Sequence, residues 1–490
     1  MNLNCLFSLL LCVSMPLSTH ASGLIPTTTP RPDDEKPKVI QVRLTPVAEP
    51  SPALRYRLTP NYLETSPGNA AIHYYRAFSP EWGTYLERDK NLRAVWEKWQ
   101  ANTDKAPDKK LRFVMADNAL KQIDLAARKR YCDWDLLEQV KAKGIGLLLP
   151  ELQGFRQFGN LLALRARFHV LDRDYPKAIA SLQTGMKLGH DIGEGPTLIH
   201  LLVGISIEKV MLDEIERMAQ RKGTPNLYWA LAELPLPSRS LLRTLQTERT
   251  LLESLLPGLR EMAKNRQANP LGRPELDQLI REYIEVQAMA GDGGSRNQWV
   301  ERAALAVSAT QIYPVAKKAL LEEGRPSELV NKMPILQVVL IYETQNYERA
   351  YDNVVKWSRL PYHQARSGLR KSMSRLRTKA GEAGSPGKVL VRLLVPAITK
   401  VHLAAYSVDR RIACLRCLES LRHYANKHNG ELPKSLDQLV DLPVPMDPMT
   451  GKTFEYRREG TKAYLTAPVP RGETAISQSH HWNFEITIAK

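Results

Sequence analysis

Apolar residues recur at three- and four-residue spacing over most of this 490-residue chain, which is the spacing of an amphipathic α-helix. From about Pro60 onward, breaks such as "LPLPS" and "AGDGGS" separate the periodic stretches. Alternation with a period of two, typical of a half-buried strand, is not evident before residue 430. The pattern predicts an all-helical body, with helices over residues 68–78, 111–130, 160–192, 197–220, 240–263, 275–290, 299–323 and 335–357.

The clearest pair of helices spans residues 160–192. Asp174 can cap the second helix, and Pro176 falls in its first turn, where the missing N–H costs nothing. This pair resembles one tetratricopeptide repeat, with Ala166 late in the first helix and Tyr175 at the turn. An array of such repeats needs about three copies to close a core, and one clear copy is present. We therefore expect an irregular stack of helical hairpins.

The pattern changes after a last long helix, predicted from about Leu403 to Lys427. Asn429 and Gly430 both tolerate the left-handed conformation that ends many helices, and a short helix is predicted after Pro433. The segments "KTFEYR" and "KAYLTA" alternate with a period of two around a Glu-Gly turn, and "NFEITI" is a candidate third strand. The end of the chain therefore predicts a small antiparallel sheet.

This order of features resembles the globular part of the major pseudopilins of type II secretion. In that family a helix ends at a pair like Asn429–Gly430, and Pro433 opens the next segment. Asp447–Pro448 then precedes a hairpin that contains Tyr456. The resemblance implies a long helix packed on a small sheet. Filament assembly is not expected, because the upstream helix contains the charged run Asp409–Arg411.

The N-terminus resembles an export signal. Leu6 to Met15 is an apolar stretch too short to span a bilayer, and cleavage is expected after Ala21. The tract from Gly23 to Pro60 is rich in proline and is predicted to be extended and disordered. No later segment has the roughly 18 uncharged apolar residues of a membrane span. These features predict an exported protein, periplasmic or associated with the cell envelope, without a transmembrane segment after cleavage.

Together these patterns predict a mainly α protein, an irregular stack of helical hairpins followed by a small α+β C-terminal module. The predicted division is a signal peptide over 1–21, a Pro-rich disordered linker over 22–58, an all-helical domain over 59–385, and a long helix plus pseudopilin-like module over 386–490.

The balance of charge is basic, with 69 Lys and Arg against 52 Asp and Glu and a net charge of +17. Charge of this sign favours anionic partners. Lys356 to Lys379 contains eight cations and no acid. This run predicts either a solvated helix face, which is the favoured interpretation, or a patch that docks an anion or a partner. The candidate docking residues are Arg366, Arg370, Lys371, Arg375 and Arg377.

The motifs that could support catalysis are weak. Cys414 and Cys417 lie one turn apart in mid-helix, where core packing is expected rather than a redox pair or a zinc site. Ser206 and Lys209 match the Ser-x-x-Lys of penicillin-interacting enzymes, but the companion motifs of those enzymes are missing. Pairs of acids such as Asp213–Glu214 are expected on exposed helix faces. We therefore predict no catalytic residue, no cofactor and no metal site.

Two functional hypotheses follow. The first is an exported, non-catalytic interaction or scaffold protein that binds a protein partner or an anionic envelope polymer. Nucleic acid is disfavoured as a partner, because export is predicted and the basic run lacks interleaved aromatic residues beyond its start. The alternative is a cell-envelope hydrolase whose site is assembled only in three dimensions. That alternative requires a pocket lined by buried carboxylates, or by Ser206 and Lys209.

Overall fold

The chain folds as a mainly α-helical protein with a small sheet formed near its C-terminus, as the apolar spacing predicts. The computed structural model describes residues 39–79, 86, 89–103, 105–143, 149–235, 240–255, 258–289, 298–381, 388–468 and 482–489. The predicted signal peptide and the first part of the predicted linker lie outside the described residues.

The helices and strands are numbered in chain order. The helices are α1 (Ala70–Arg76), α2 (Lys90–Gln100), α3 (Asn118–Ala127), α4 (Leu137–Lys143), α5 (Glu151–Leu171), α6 (Tyr175–Gly193), α7 (Leu198–Ala219), α8 (Tyr228–Ala232), α9 (Ser240–Leu255), α10 (Leu259–Lys264), α11 (Arg273–Met289), α12 (Gln298–Glu322), α13 (Ser327–Lys332), α14 (Ile335–Val355), α15 (Tyr362–Gly381) and α16 (Lys388–Lys427). The strands are β1 (Val39–Leu44), β2 (Ser66–Asn69), β3 (Lys129–Tyr131), β4 (Glu455–Glu459), β5 (Lys462–Ala467) and β6 (Trp482–Ile488).

Local side chains explain where several helices begin. Asp117 accepts a hydrogen bond from the Leu120 N–H at 3.2 Å, so α3 starts here and the preceding residues form a separate 3-10 helix. Asp174 caps α6 as predicted, accepting from the Lys177 N–H. Gly258 has a φ of +74°, a conformation that divides the segment predicted as one helix over 240–263 into α9 and α10.

The three helices α5, α6 and α7 pack against one another as successive antiparallel neighbours. Ala166 of α5 and Ala178 of α6 are fully or almost fully buried in this packing, as the hairpin pattern predicts. A Cβ atom at Gly204 of α7 would collide with the backbone of Gly189 and Gly193 of α6. Small residues therefore allow the backbones of α6 and α7 to approach closely.

The N-terminal tract is not a free linker in its described part. Val39–Leu44 forms β1, which pairs in parallel with β6, and Leu44 and Leu58 are fully buried. The Thr45 N–H donates to the Ala219 carbonyl at the end of α7. The prediction of disorder is therefore wrong for residues 39–58, and so is the expectation of no strand before residue 430. The alternating sequence "VIQVRL" supplies the apolar face that the neighbouring prolines obscure.

The predicted C-terminal sheet is confirmed. Strands β4, β5 and β6 are antiparallel, and β1 completes a mixed sheet in the order β1-β6-β5-β4. Gly430 has a φ of +86°, and its N–H donates to the Ala425 carbonyl at 2.8 Å, so the predicted cap of α16 is also confirmed. The short helix predicted after Pro433 is reduced to one 3-10 turn, Leu436–Gln438.

One apolar core runs through the described residues from β1 to β6. It joins the α5–α7 bundle, the second half of α16 and the inner face of the sheet. A second, smaller cluster lies between α12 and α14 and includes Ala316, Leu320 and Val338. Helix α16 therefore links the helical body to the C-terminal sheet.

Candidate functional site

The basic residues predicted as a docking patch lie on α15, which begins at Tyr362. Tyr362, Ala365, Leu369 and Met373 form its buried stripe at helical spacing. The cations fall outside that stripe: Arg370, Lys371 and Arg375 are exposed and Arg366 is half-buried, while the side chain of Arg377 lies outside the described residues.

Close packing holds α15 in place. A Cβ atom at Gly368 would overlap the Trp357 indole, so the helix lies directly on that ring. Trp357 Nε1 donates to Ser372 Oγ at 3.2 Å, and the Ser372 hydroxyl donates to the Asn353 carbonyl at 3.1 Å. These bonds fix α15 against the end of α14 and the 3-10 turn Lys356–Arg359. The exposed cations therefore stand on a supported helix.

The charged side chains of α15 are all basic. The sequence of α15 contains no Asp or Glu. Within the described residues, Lys371 and Arg375 form no ion pair, and they are one helical turn apart, about 6 Å along the axis. Such a pair presents two adjacent positive charges to solvent. We call the exposed surface formed by Arg370, Lys371 and Arg375 the α15 basic face.

A different arrangement, not predicted from the sequence, occurs where α7 crosses α16. Asp409 of α16 is 6% exposed, and no hydrogen bond or ion pair joins it to any described residue. Burial raises the pKa of Asp409 from 3.8 to about 7. Burial, with the nearby Asp409 charge, raises the pKa of Glu208 on α7 from 4.5 to about 8. Two carboxyl groups, the buried Asp409 and the half-buried Glu208, thus lie near each other.

Helix packing explains how Glu208 reaches this place. Gly189 of α6 has no side chain, and a Cβ atom there would lie 2.8 Å from Glu208 Cγ. The α6 backbone therefore supports the Glu208 side chain directly. We call Glu208 and Asp409 the acid pair. Burial raises both pKa values toward neutrality, the range in which general acid–base groups work.

The polar side of α16 continues from Asp409 toward α15. Tyr406 lies three residues earlier, and burial with the Asp409 charge raises its pKa to about 12. The Tyr362 ring at the start of α15 lies 4.7 Å from the Tyr406 ring, centroid to centroid. One turn further, His402 Nε2 is 2.8 Å from Ser358 Oγ, and burial lowers the pKa of His402 to about 4. A neutral His402 therefore takes part in a local hydrogen bond.

The Ser-x-x-Lys candidate does not assemble as a nucleophile and base. The Ser206 hydroxyl donates to the Val203 carbonyl of its own helix at 2.7 Å. Burial lowers the pKa of Lys209, partly offset by the charge of Asp213, and no bond joins Lys209 to Ser206 in the described residues. A serine whose proton is already donated to the backbone is not activated by this lysine.

The remaining sequence candidates are structural. Cys414 and Cys417 are buried free thiols as predicted, and burial raises the pKa of Cys414 to about 12, so it stays protonated. Asp213 is exposed as predicted, whereas Glu214 is buried against Arg167, since α5 covers that side of α7. No group of three or more His, Cys, Asp or Glu in the described residues is placed to hold a metal ion.

Comparisons of the chain with protein-family models, with curated proteins and with solved structures find no match. The resemblance of the C-terminal module to pseudopilins therefore stays a prediction. Within the described ranges, no helix combines the length and apolar character needed to cross a membrane.

Proposed function

We propose that this chain is an exported, non-catalytic helical protein that binds an anionic polymer of the cell envelope through the α15 basic face. Supporting observations are the acid-free sequence of α15 and the exposed cations Lys371 and Arg375, which form no ion pair with any described residue. Because α15 is braced by Trp357 and Ser372, the charges face a ligand from a fixed surface. Less conformational entropy is then lost on binding than with a mobile tail. Export rests on the N-terminal apolar stretch and Ala21.

The proposal is tested by binding of dextran sulfate at a series of salt concentrations. Lys371→Gln with Arg375→Gln removes two charges from the face. Binding should weaken, and the slope of log K against log salt should become shallower by roughly 1.5, since each charge that neutralises the polymer releases condensed counterions.

A matched variant distinguishes binding at the α15 basic face from a general effect of the protein's net charge. Lys434→Gln with Lys452→Gln removes the same charge from exposed positions in the C-terminal module. This control should retain the affinity and slope of the parent. Equal weakening by both variants, or no measurable binding by the parent at low salt, would overturn the proposal.

A second candidate function is acid–base hydrolysis of an envelope polymer at the acid pair. The observation that favours it is the convergence of Glu208 and Asp409, with their pKa values raised to about 8 and about 7. Its test is release of soluble fragments from purified envelope glycan by the parent, by Glu208→Gln and by Asp409→Asn. Activity in the parent that both variants lose would support hydrolysis, and a parent without activity would exclude it for that substrate.

A further inference from the structure

A cleft of about 380 Å³ opens between the loop after α2, the end of α5 and the end of α7. This volume falls in the range of small-molecule sites. Its polar lining consists of Lys105, Arg167, Glu214, Arg217, Gln220 and Arg221. The cleft lies apart from α15 and from the acid pair, so it is independent of both functions considered above.

The floor of the cleft is a buried network of charges. Arg167 pairs with Glu214, and the side chains of both residues are 7% exposed. Arg217 adds a second pair to Glu214 at 2.9 Å and donates to Thr103 Oγ1 at 3.3 Å. The Arg167 guanidinium also lies over the Trp99 ring, 5.1 Å from its centroid. Glu214 is thus neutralised by two arginines, and the floor is held rigidly.

The rim differs, because its side-chain donors have no acceptor among the described residues. Lys105 and Arg221 are exposed, and their side chains contact no acceptor in the described part of the chain. Gln220 accepts a hydrogen bond from the Arg43 N–H through Oε1 at 3.3 Å, which leaves its Nε2 donor without an acceptor among the described residues. The side-chain donors of Lys105, Gln220 and Arg221 therefore line the same cleft, one from the loop after α2 and two from the end of α7.

Basic side chains outnumber acidic ones among the described residues that line the cleft. Four of these described residues are cations and one, Glu214, is an acid. Helices α5 and α7 both end here, at Leu171 and Ala219, and each C-terminus contributes about half a negative charge. The described lining therefore remains positively charged after the helix ends are counted. An anion matches that charge.

We propose that this cleft binds a small organic phosphate, with the phosphate held between Lys105 and Arg221. The apolar side chains of Val170 and Met218 also line the cleft, and they suit the less polar face of a ring of monosaccharide size. Arg–phosphate recognition is bidentate and planar, whereas the lysine supplies a point charge, so the two rim residues contribute in different ways.

Isothermal titration calorimetry with glucose 6-phosphate tests the site, with glucose as the neutral comparison. The parent should bind the phosphate ester with a Kd below about 1 mM and should not bind glucose. Lys105→Gln with Arg221→Gln removes the rim charges but leaves the floor of Arg167, Glu214 and Arg217 intact. This variant should bind at least tenfold more weakly.

One further titration makes the outcome specific. Lys434→Gln with Lys452→Gln should bind glucose 6-phosphate as the parent does, because both exposed lysines lie outside the cleft. The proposal fails if the parent gives no heat of binding at 10 mM ester, if glucose binds as well, or if this control variant loses affinity equally. Tight binding of inorganic phosphate with no gain from the sugar would also contradict a site for an organic ester.

Discussion

Helix α16 contains two kinds of buried charge, and they lie side by side in the sequence. Arg410 is fully buried and donates through Nε and Nη2 to the Asp447 carboxylate at 3.0 and 2.6 Å. Arg422 is fully buried and pairs with Glu419 at 2.8 Å, with a further bond to the Thr224 carbonyl. Asp409 is buried next to Arg410 and has no partner in the described residues.

The difference shows how charge can serve two purposes in one helix. The two arginines form hydrogen bonds to residues that are distant in the sequence, and Arg422 also donates to the Thr45 carbonyl after β1. They tie the N-terminal strand and the C-terminal module to α16. Asp409 makes no such bond to any described residue. Its raised pKa instead reflects the free-energy cost of burying its charge. An unpartnered buried acid beside a second acid is therefore the feature on which the hydrolysis hypothesis rests.

The largest effect is expected when a partnered arginine loses its acid. Asp447→Ala leaves Arg410 charged and buried without its carboxylate, and it also removes the acceptor of the Met449 N–H. We expect a loss of about 3–5 kcal/mol in the free energy of unfolding, measured by urea denaturation. Replacing both residues, Arg410→Met with Asp447→Leu, should recover part of that loss. A single variant as stable as the parent would show that this pair does not hold the module.

A change of opposite sign, a gain in the free energy of unfolding, is expected when Asp409 of the acid pair is replaced by a neutral residue. The folded pKa of Asp409 is about 7 against an ordinary 3.8, so between these values the folded state keeps a proton that the unfolded chain has released. Stability from this group is therefore present at low pH and lost as pH rises from about 4 to 7. Asp409→Asn has no charge to bury and avoids this loss of stability. We expect its free energy of unfolding at pH 8 to exceed that of the parent by on the order of 2 kcal/mol.

Thermal unfolding of parent and variant at pH 4.5 and pH 8 measures this gain as a difference. The exposed Asp437→Asn serves as the control for removal of one carboxylate. His200 and His402, whose pKa values burial lowers to about 4, change the stability of both proteins alike at low pH and cancel in the difference. If Asp409→Asn destabilises the protein equally at both pH values, Asp409 has a partner.

The smallest effect is expected at the end of α16, where no charge is involved. Gly430 has a φ of +86°, and a Cβ atom there would lie 3.8 Å from Ile488 Cγ2, so space is available and only the backbone is strained. Gly430→Val should lower the free energy of unfolding by about 1 kcal/mol. Gly430→Asn should cost less, because asparagine tolerates this conformation. Equal midpoints for parent and valine variant would contradict the cap.

Most helices could be predicted from the sequence because their apolar spacing reflects burial on one face. Strand β1 is harder to predict for a physical reason: prolines dominate the surrounding tract, and its partner β6 lies far away in the sequence. The short alternation in "VIQVRL" is the available signal. The hairpin β4–β5 was predictable because its two strands and its turn are adjacent in sequence.

The α15 face could be located from sequence because its charges are consecutive on one helix. The acid pair could not, since Glu208 and Asp409 meet only through the packing of α7 on α16. Each acid lies within an apolar stretch, "LLVGISIEKVML" and "AAYSVDRRIACL", and that was the one local sign of burial. The small-residue contact at Gly189, which supports Glu208, is likewise a property of the pair of helices.

The parallel pairing of β1 with β6 has a consequence for synthesis. Val39 pairs with Asn483, so the first of these strands leaves the ribosome long before its partner exists. At the usual rate of about 5–20 residues per second, β1 waits on the order of tens of seconds. During that time its edge is open to other chains and to chaperones. Strand β6 is thus the strand that pairs with the N-terminal segment, and formation of this part of the sheet is a late step in folding.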